Sequence, residues 1–172
     1  FLEERSNDAS GSVVCACLEG NRPILVEVQA LVAKTPYGMP RRTAVGFDYN
    51  RVTMLLAILE RRLGMDFGAY DAYVNVVGGM RVTEPAADLA VAAALVSSYR
   101  NRPIPHGVLV MGEVGLTGEV RRIGSPERRI KDAMNLGFKR FVLPMGKLSL
   151  DEPCNGIVQV KTLEEALDKV FA

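Results

Sequence analysis

Residues 86–99 constrain the fold of this chain more than any other stretch. Ala, Leu and Val dominate them, and Pro85-Ala86-Ala87-Asp88 opens the run. A helix that is apolar on every side has no face to offer water, so other elements must wrap it. Its small side chains let those neighbours come close. With 172 residues and 48% hydrophobic content, one domain can supply that wrapping.

The rest of the sequence supplies the wrapping as strands and amphipathic helices. Residues 13–18 and 24–32 are β-rich runs joined by Glu19-Gly20-Asn21-Arg22-Pro23, a hairpin signal. Residues 35–42, rich in Pro and Gly and carrying Arg41-Arg42, read as an exposed loop before a short run at 43–47. Asp48 or Asn50 caps a helix whose apolar positions Val52, Leu55, Leu56, Leu59 and Leu63 recur at helical spacing, with Gly64 to end it. Residues 73–77 form a strand that runs into Gly78-Gly79. Residues 107–111 have the continuous apolar character of a buried strand, and residues 112–120 continue as a glycine-punctuated hairpin. Ser125 is placed as an N-cap before Pro126, with Ile130, Ala133 and Met134 inward and Gly137 closing that helix. Strands at 140–143 and 157–160 follow, and Thr162 with Glu165 makes a capping box for the last helix. Strands and helices alternate through the second half, so the fold class is α/β, built in layers.

Charge and cysteine content narrow the function classes. Twenty-one basic and 20 acidic residues give a net charge of +1, so nucleic-acid binding has to come from a local patch. Three cysteines, Cys15, Cys17 and Cys154, are too few for a disulfide framework, and with His106 they lack zinc-ligand spacing. Cys15 and Cys17 alternate on a strand and share a face, as buried thiols of a reducing compartment. No apolar run reaches the ~20 residues of a membrane span, and the opening has no signal-peptide pattern. The chain therefore reads as cytoplasmic. Residues 1–11 are polar and read as a linker from an upstream domain, with residues 12–172 as the domain itself.

The sequence also lacks several catalytic patterns. No Gly-Lys-Ser or Gly-Lys-Thr occurs, so the chain has no P-loop. His106 has no nucleophile elbow to serve. Glu84, Asp88, Glu113 and Glu119 are carboxylates whose spacing does not demand an acid–base pair.

The order of elements and several phrases resemble the C-terminal Lon-protease-like domain of the bacterial RadA (Sms) family of DNA repair and recombination proteins. The resemblance covers nearly the whole chain. It is carried by Gly11-Ser12-Val13-Val14, residues 23–32, Pro40-Arg41-Arg42-Thr43 through Asn50-Arg51, Val74-Asn75-Val76-Val77-Gly78-Gly79, Asp88-Leu89-Ala90 and residues 112–121. It implies a Lon-protease-like fold with a mixed sheet and helices. In the peptidase relatives a serine follows the proline at this helix start, and a lysine in a later helix activates it. The matching positions here are Ala86 and Glu127, and a shift of one or two residues along the later helix would not restore the reaction. A methyl group cannot attack a carbonyl, so the resemblance implies a catalytically degenerate pseudo-peptidase.

The resemblance further implies a parent protein with a zinc finger and a RecA-like, DNA-dependent ATPase or helicase upstream, active in branch migration. ATP and zinc would belong to those upstream domains, and no cofactor or metal to this one. This domain would support a homo-oligomeric ring, a hexamer, and help bind single-stranded or branched DNA, while a recombinase would be met through the full-length protein. Clustering in loops singles out Arg41, Arg42, Arg51 and Arg81 for phosphate contact, with Tyr37 and Tyr49 as nearby stacking residues. The same arginines also suit solvated charges or ion pairs across a subunit boundary. Two other readings stay open: an oligomerisation domain that touches no DNA, and a residual serine peptidase using Ser97, Ser98 or Ser125.

Overall fold

The computed structural model describes residues 9–172. The linker expected at residues 1–8 lies outside the described residues. Nine strands and four helices follow in the order β1 (Ser12–Glu19), β2 (Arg22–Lys34), β3 (Arg42–Val45), α1 (Tyr49–Leu63), β4 (Tyr70–Val76), α2 (Asp88–Arg100), β5 (Val108–Val110), β6 (Glu113–Val114), β7 (Val120–Arg121), α3 (Pro126–Asn135), β8 (Arg140–Pro144), β9 (Ile157–Val160) and α4 (Leu163–Phe171). The main sheet has seven strands in the order β3-β4-β2-β1-β5-β8-β9, and β6 and β7 form a separate antiparallel ribbon. The sheet is mixed. β2 pairs antiparallel with β1 and β4, while β3–β4, β1–β5, β5–β8 and β8–β9 are parallel. The chain is thus an α/β fold.

α2 occupies the centre that its composition demands. Every residue from Asp88 to Ser97 is buried, and the helix packs on β1 and β2 while touching α1, α4, β4 and β5. Its last turn is tied to the sheet by two hydroxyls. The Ser97 Oγ accepts the Gly11 N–H at 2.8 Å, and the Ser98 Oγ accepts the Val32 N–H at 2.8 Å. Gly11, read from sequence as linker, is therefore built into the fold. Its φ is +91°, and a Cβ there would stand 2.2 Å from the Ala30 carbonyl oxygen, so only glycine fits.

Local signals explain most boundaries. Asp48 caps α1 by accepting the Asn50 N–H at 2.9 Å, and Gly64 ends it in the left-handed region. Thr162 caps α4 by accepting the Glu165 N–H, although the return hydrogen bond reaches Lys161 N rather than Thr162 N. Two expectations need correction. The third strand is Arg42–Val45 rather than 43–47, because Phe47 leaves the ladder to bury itself in the turn before α1. Ser125 precedes α3 but does not cap it: its φ and ψ are 51° and 50°, and its side chain makes no cap hydrogen bond. That backbone aims the hydroxyl away from the amides an extended N-cap would reach.

Candidate functional site

The start of α2 is built from four segments that converge on Ala86. Residues Pro85–Ala87 form a short 3-10 turn leading into the helix, and Ala86 is 4% exposed. The Ala86 carbonyl accepts the Gly112 N–H at 2.8 Å, and the Gly112 carbonyl accepts the Leu89 N–H at 3.0 Å. One residue thus clamps both sides of the turn. From β1 the Cys15 Sγ lies 3.9 Å from the Ala86 carbonyl oxygen and 3.8 Å from the Cys17 Sγ. The hydrogen bond from Cys17 and full burial push the Cys15 thiol well above its ordinary pKa. A thiol so placed is not a thiolate near neutrality, so it does not replace a missing serine as nucleophile.

Two partly buried ion pairs flank Ala86. On one side Asp88, fully buried, accepts Arg51 Nε at 2.8 Å, bonds a second guanidinium nitrogen of the same residue, and accepts the Val114 N–H at 3.1 Å. Burial pushes the Asp88 carboxyl up, against the opposing pull of Arg51 and Val114. The bond to Asp88 raises the Arg51 guanidinium in turn. The two shifts point to opposite signs of net stabilisation. Full burial of the carboxylate makes its desolvation the larger effect, so this pair fixes geometry more than it adds stability.

On the other side Arg129, 1% exposed, spreads its guanidinium over three partners. Nε donates to the Gly124 carbonyl at 2.9 Å, one terminal nitrogen donates to the Ala16 carbonyl at 2.8 Å, and both terminal nitrogens hold the Glu84 carboxylate. Glu84 also accepts the Leu18 N–H at 2.7 Å. The network joins α3, β1 and the segment just before Ala86.

The family resemblance matches Glu127 to the position of the activating lysine. In the structure, Glu127 instead accepts the Ser149 N–H at 3.2 Å. The α3 side chain that reaches the residues beside Ala86 is Arg129, two positions further on. Its spacing held the clue: Arg129 lies three residues after Pro126 and four before the buried Ala133, on the inward face. Arginine stays protonated throughout the physiological range and cannot serve as a base.

The four arginines expected to meet phosphate do not form one patch. The Arg42 guanidinium donates to the Tyr70 carbonyl and, at 2.9 Å, to the Phe67 carbonyl, which anchors the start of β3. Arg51 is taken by Asp88. The Arg41 N–H donates to Asp71 Oδ1 at 2.7 Å, a bond that holds the Asp71 carboxyl below its ordinary range, while its side chain projects exposed. Arg81 is exposed and shares a hollow of about 430 Å³ with Tyr49, Arg51 and Thr83. Arg41 and Arg42 stand at the start of β3, whereas Arg51 and Arg81 line the hollow beside the turn that follows it. Tyr37 is 89% exposed in the loop beside Arg41.

The alternative serines have structural partners or exposed positions. Ser97 donates to the Arg102 carbonyl, Ser98 accepts from Val32, and Ser125 is exposed. Glu119 does not join the other carboxylates. The Thr117 hydroxyl and its own backbone N–H hold it down to about 2, at the tip of the β6–β7 ribbon. Among the described residues, no three His, Cys, Asp or Glu side chains are grouped to hold a metal ion. No helix among them is long and apolar enough to cross a membrane.

The chain is similar in sequence to known proteins. Residues 28–147 match the family described as subunit ChlI of Mg-chelatase. DNA repair protein RadA of Halalkalibacterium halodurans is 48% identical over 172 residues, covering 98% of this chain and 37% of that protein. DNA repair protein RadA of Pseudomonas aeruginosa is 49% identical over 172 residues, covering 99% of the chain and 38% of the relative. The Bacillus subtilis protein of the same name is 48% identical over 169 residues, with 97% and 37% covered. The chain spans less than two fifths of the length of these relatives.

Proposed function

We propose that this chain, which belongs to the family described as subunit ChlI of Mg-chelatase and corresponds to part of DNA repair protein RadA, is the non-proteolytic scaffold domain of a RadA-type repair protein. In this reading a Lon-like fold is kept for assembly into a hexameric ring and for contact with single-stranded or branched DNA. ATP hydrolysis and zinc binding are assigned to parts of such a protein outside this chain. Identity of 48–49% along nearly the whole chain favours the repair role over the chelatase named by the family description.

One observation carries the reading. At the helix start where a serine nucleophile would stand, the chain has a buried methyl group closed in by two ion pairs, while the surrounding sheet and helices are intact. A site without a nucleophile or a base cannot run acyl transfer. For DNA contact the reading uses Arg41 and Arg81, whose side chains are exposed, with Tyr37 as a stacking surface. Arg42 and Arg51 become structural residues. Their internal commitment favours a second reading, an assembly domain that leaves DNA to other parts of the protein.

Light scattering on the chain with and without a 30-nucleotide single strand, at low and moderate salt, separates the two. Ring-sized mass and binding that weakens steeply with salt support the first reading. Ring-sized mass without binding leaves the second, and a monomer that binds nothing overturns both.

A further inference from the structure

Glu27, in the middle of β2, is 3% exposed. Among the described residues its partners are two neutral donors. The Ser12 hydroxyl donates to Oε2 at 2.7 Å and the Gln29 amide donates to the same oxygen at 3.2 Å. The three ion pairs among the described residues do not include it. A buried carboxylate without a cation is costly, and this one differs from Asp88 and Glu84, each held by a guanidinium.

The surroundings of Glu27 are open. It lines a hollow of about 320 Å³ with Ser12, Gln29, Leu31, Tyr73 and Asn75. Register places Gln29 opposite Asn75 and Asn75 opposite Val45, with Leu31 opposite Tyr73 and Tyr73 opposite Thr43. These side chains therefore share one face of the β2–β4–β3 sheet. That face carries two of the exposed large apolar residues, Leu31 at 58% and Val45 at 54%. A buried carboxyl group ringed by exposed apolar and neutral polar groups has the make-up of an interface centre lacking its partner.

We infer that this hollow receives an arginine side chain from a second copy of this chain. The inference rests on the assembly reading above. Charge complementarity selects a cation, and the planar guanidinium suits both the carboxylate and the adjoining Tyr73 ring. The chain itself supplies donors: arginines outnumber lysines, and the exposed side chains of Arg61 and Arg122 take part in none of the ion pairs among the described residues. An arginine on one surface meeting a carboxylate on another repeats from copy to copy, the kind of contact that builds closed assemblies.

Sedimentation velocity of the 172-residue chain over a concentration and salt series tests this, with wild type, Glu27→Gln and Leu31→Lys compared. Glutamine keeps the size and the neutral hydrogen bonding but removes the charge. Glu27→Gln should weaken self-association by at least about tenfold and flatten its salt dependence, with the thermal midpoint held or raised. Leu31→Lys, at an exposed position, should weaken association comparably by satisfying Glu27 from within its own subunit. Should Glu27→Gln fail to fold, Leu31→Lys alone decides: lost association supports the contact, and wild-type association overturns it. Wild type that assembles while both variants assemble equally well overturns this contact and leaves the assembly reading standing. A wild type that stays monomeric overturns both.

Discussion

At the start of α2, Asp88 and Glu84 are carboxylates held by Arg51 and Arg129, and the neighbouring backbone groups of Gly112, Leu89 and Val114 have partners inside the same subunit. On the β2–β4–β3 face, Glu27 is buried like Asp88 but among the described residues meets a hydroxyl and an amide, beside exposed Leu31 and Val45. In the first region the carboxylates find their cations within one chain, so these charges fix local geometry. The second is incomplete within one chain, which is how an interaction surface differs from a core. The start of α2 is thus framework held within one subunit, whereas the Glu27 face is the surface on which the inferred contact between copies rests.

The largest effect expected is from Arg129→Ala, which leaves Glu84 and the Ala16 and Gly124 carbonyls without their shared donor. Urea unfolding should show a loss of about 3–5 kcal/mol. A loss under about 1 kcal/mol would mean that the closed region is not held by this network. Next comes Arg51→Met, at about 3 kcal/mol near neutral pH, because a fully buried Asp88 is stranded. Burial raises the folded-state pKa of Asp88 above its unfolded value. The protonated carboxyl is therefore the form the fold tolerates, and its contribution is most favourable below the unfolded pKa and declines as pH rises through the folded one. The Arg51→Met penalty should accordingly shrink between pH 7 and pH 4. An unchanged penalty would show that Asp88 is not the group left unpaired.

Smaller effects probe the boundary between the two regions. Arg42→Ala should cost about 1–2 kcal/mol by freeing the Tyr70 and Phe67 carbonyls. Ala86→Ser should cost under about 1 kcal/mol and produce no hydrolysis of an unfolded protein substrate, since Arg129 offers no base. Measurable turnover would sink the pseudo-peptidase reading. The smallest stability change belongs to Arg41→Glu on the open side, within about 0.5 kcal/mol. Single-strand affinity measured by fluorescence anisotropy should nevertheless fall several-fold at low salt. An unchanged affinity would remove Arg41 from the DNA-binding residues and favour the assembly-only reading.

Local sequence signals were enough to place most of the elements. Hydrophobic period, caps and turn residues are local, so the hairpin at Glu19-Gly20, the Asp48 cap, the buried α2 and the Thr162 cap were all legible. Ala86 at the start of α2 is read directly from the sequence, and its burial only from the fold. Tertiary structure alone decided what each charge is for. Arg41 and Arg42 are neighbours in sequence, yet one side chain projects outward while the other is spent on two carbonyls. Arg51 and Asp88 lie 37 residues apart, and Arg129 and Glu84 lie 45 apart, so no local pattern links them. That Glu27 has neutral donors and no cation among the described residues is a property of everything packed around it. A pairing depends on which backbone stretches the sheet order brings together, and that order is fixed by the burial of the whole core rather than by any segment of it.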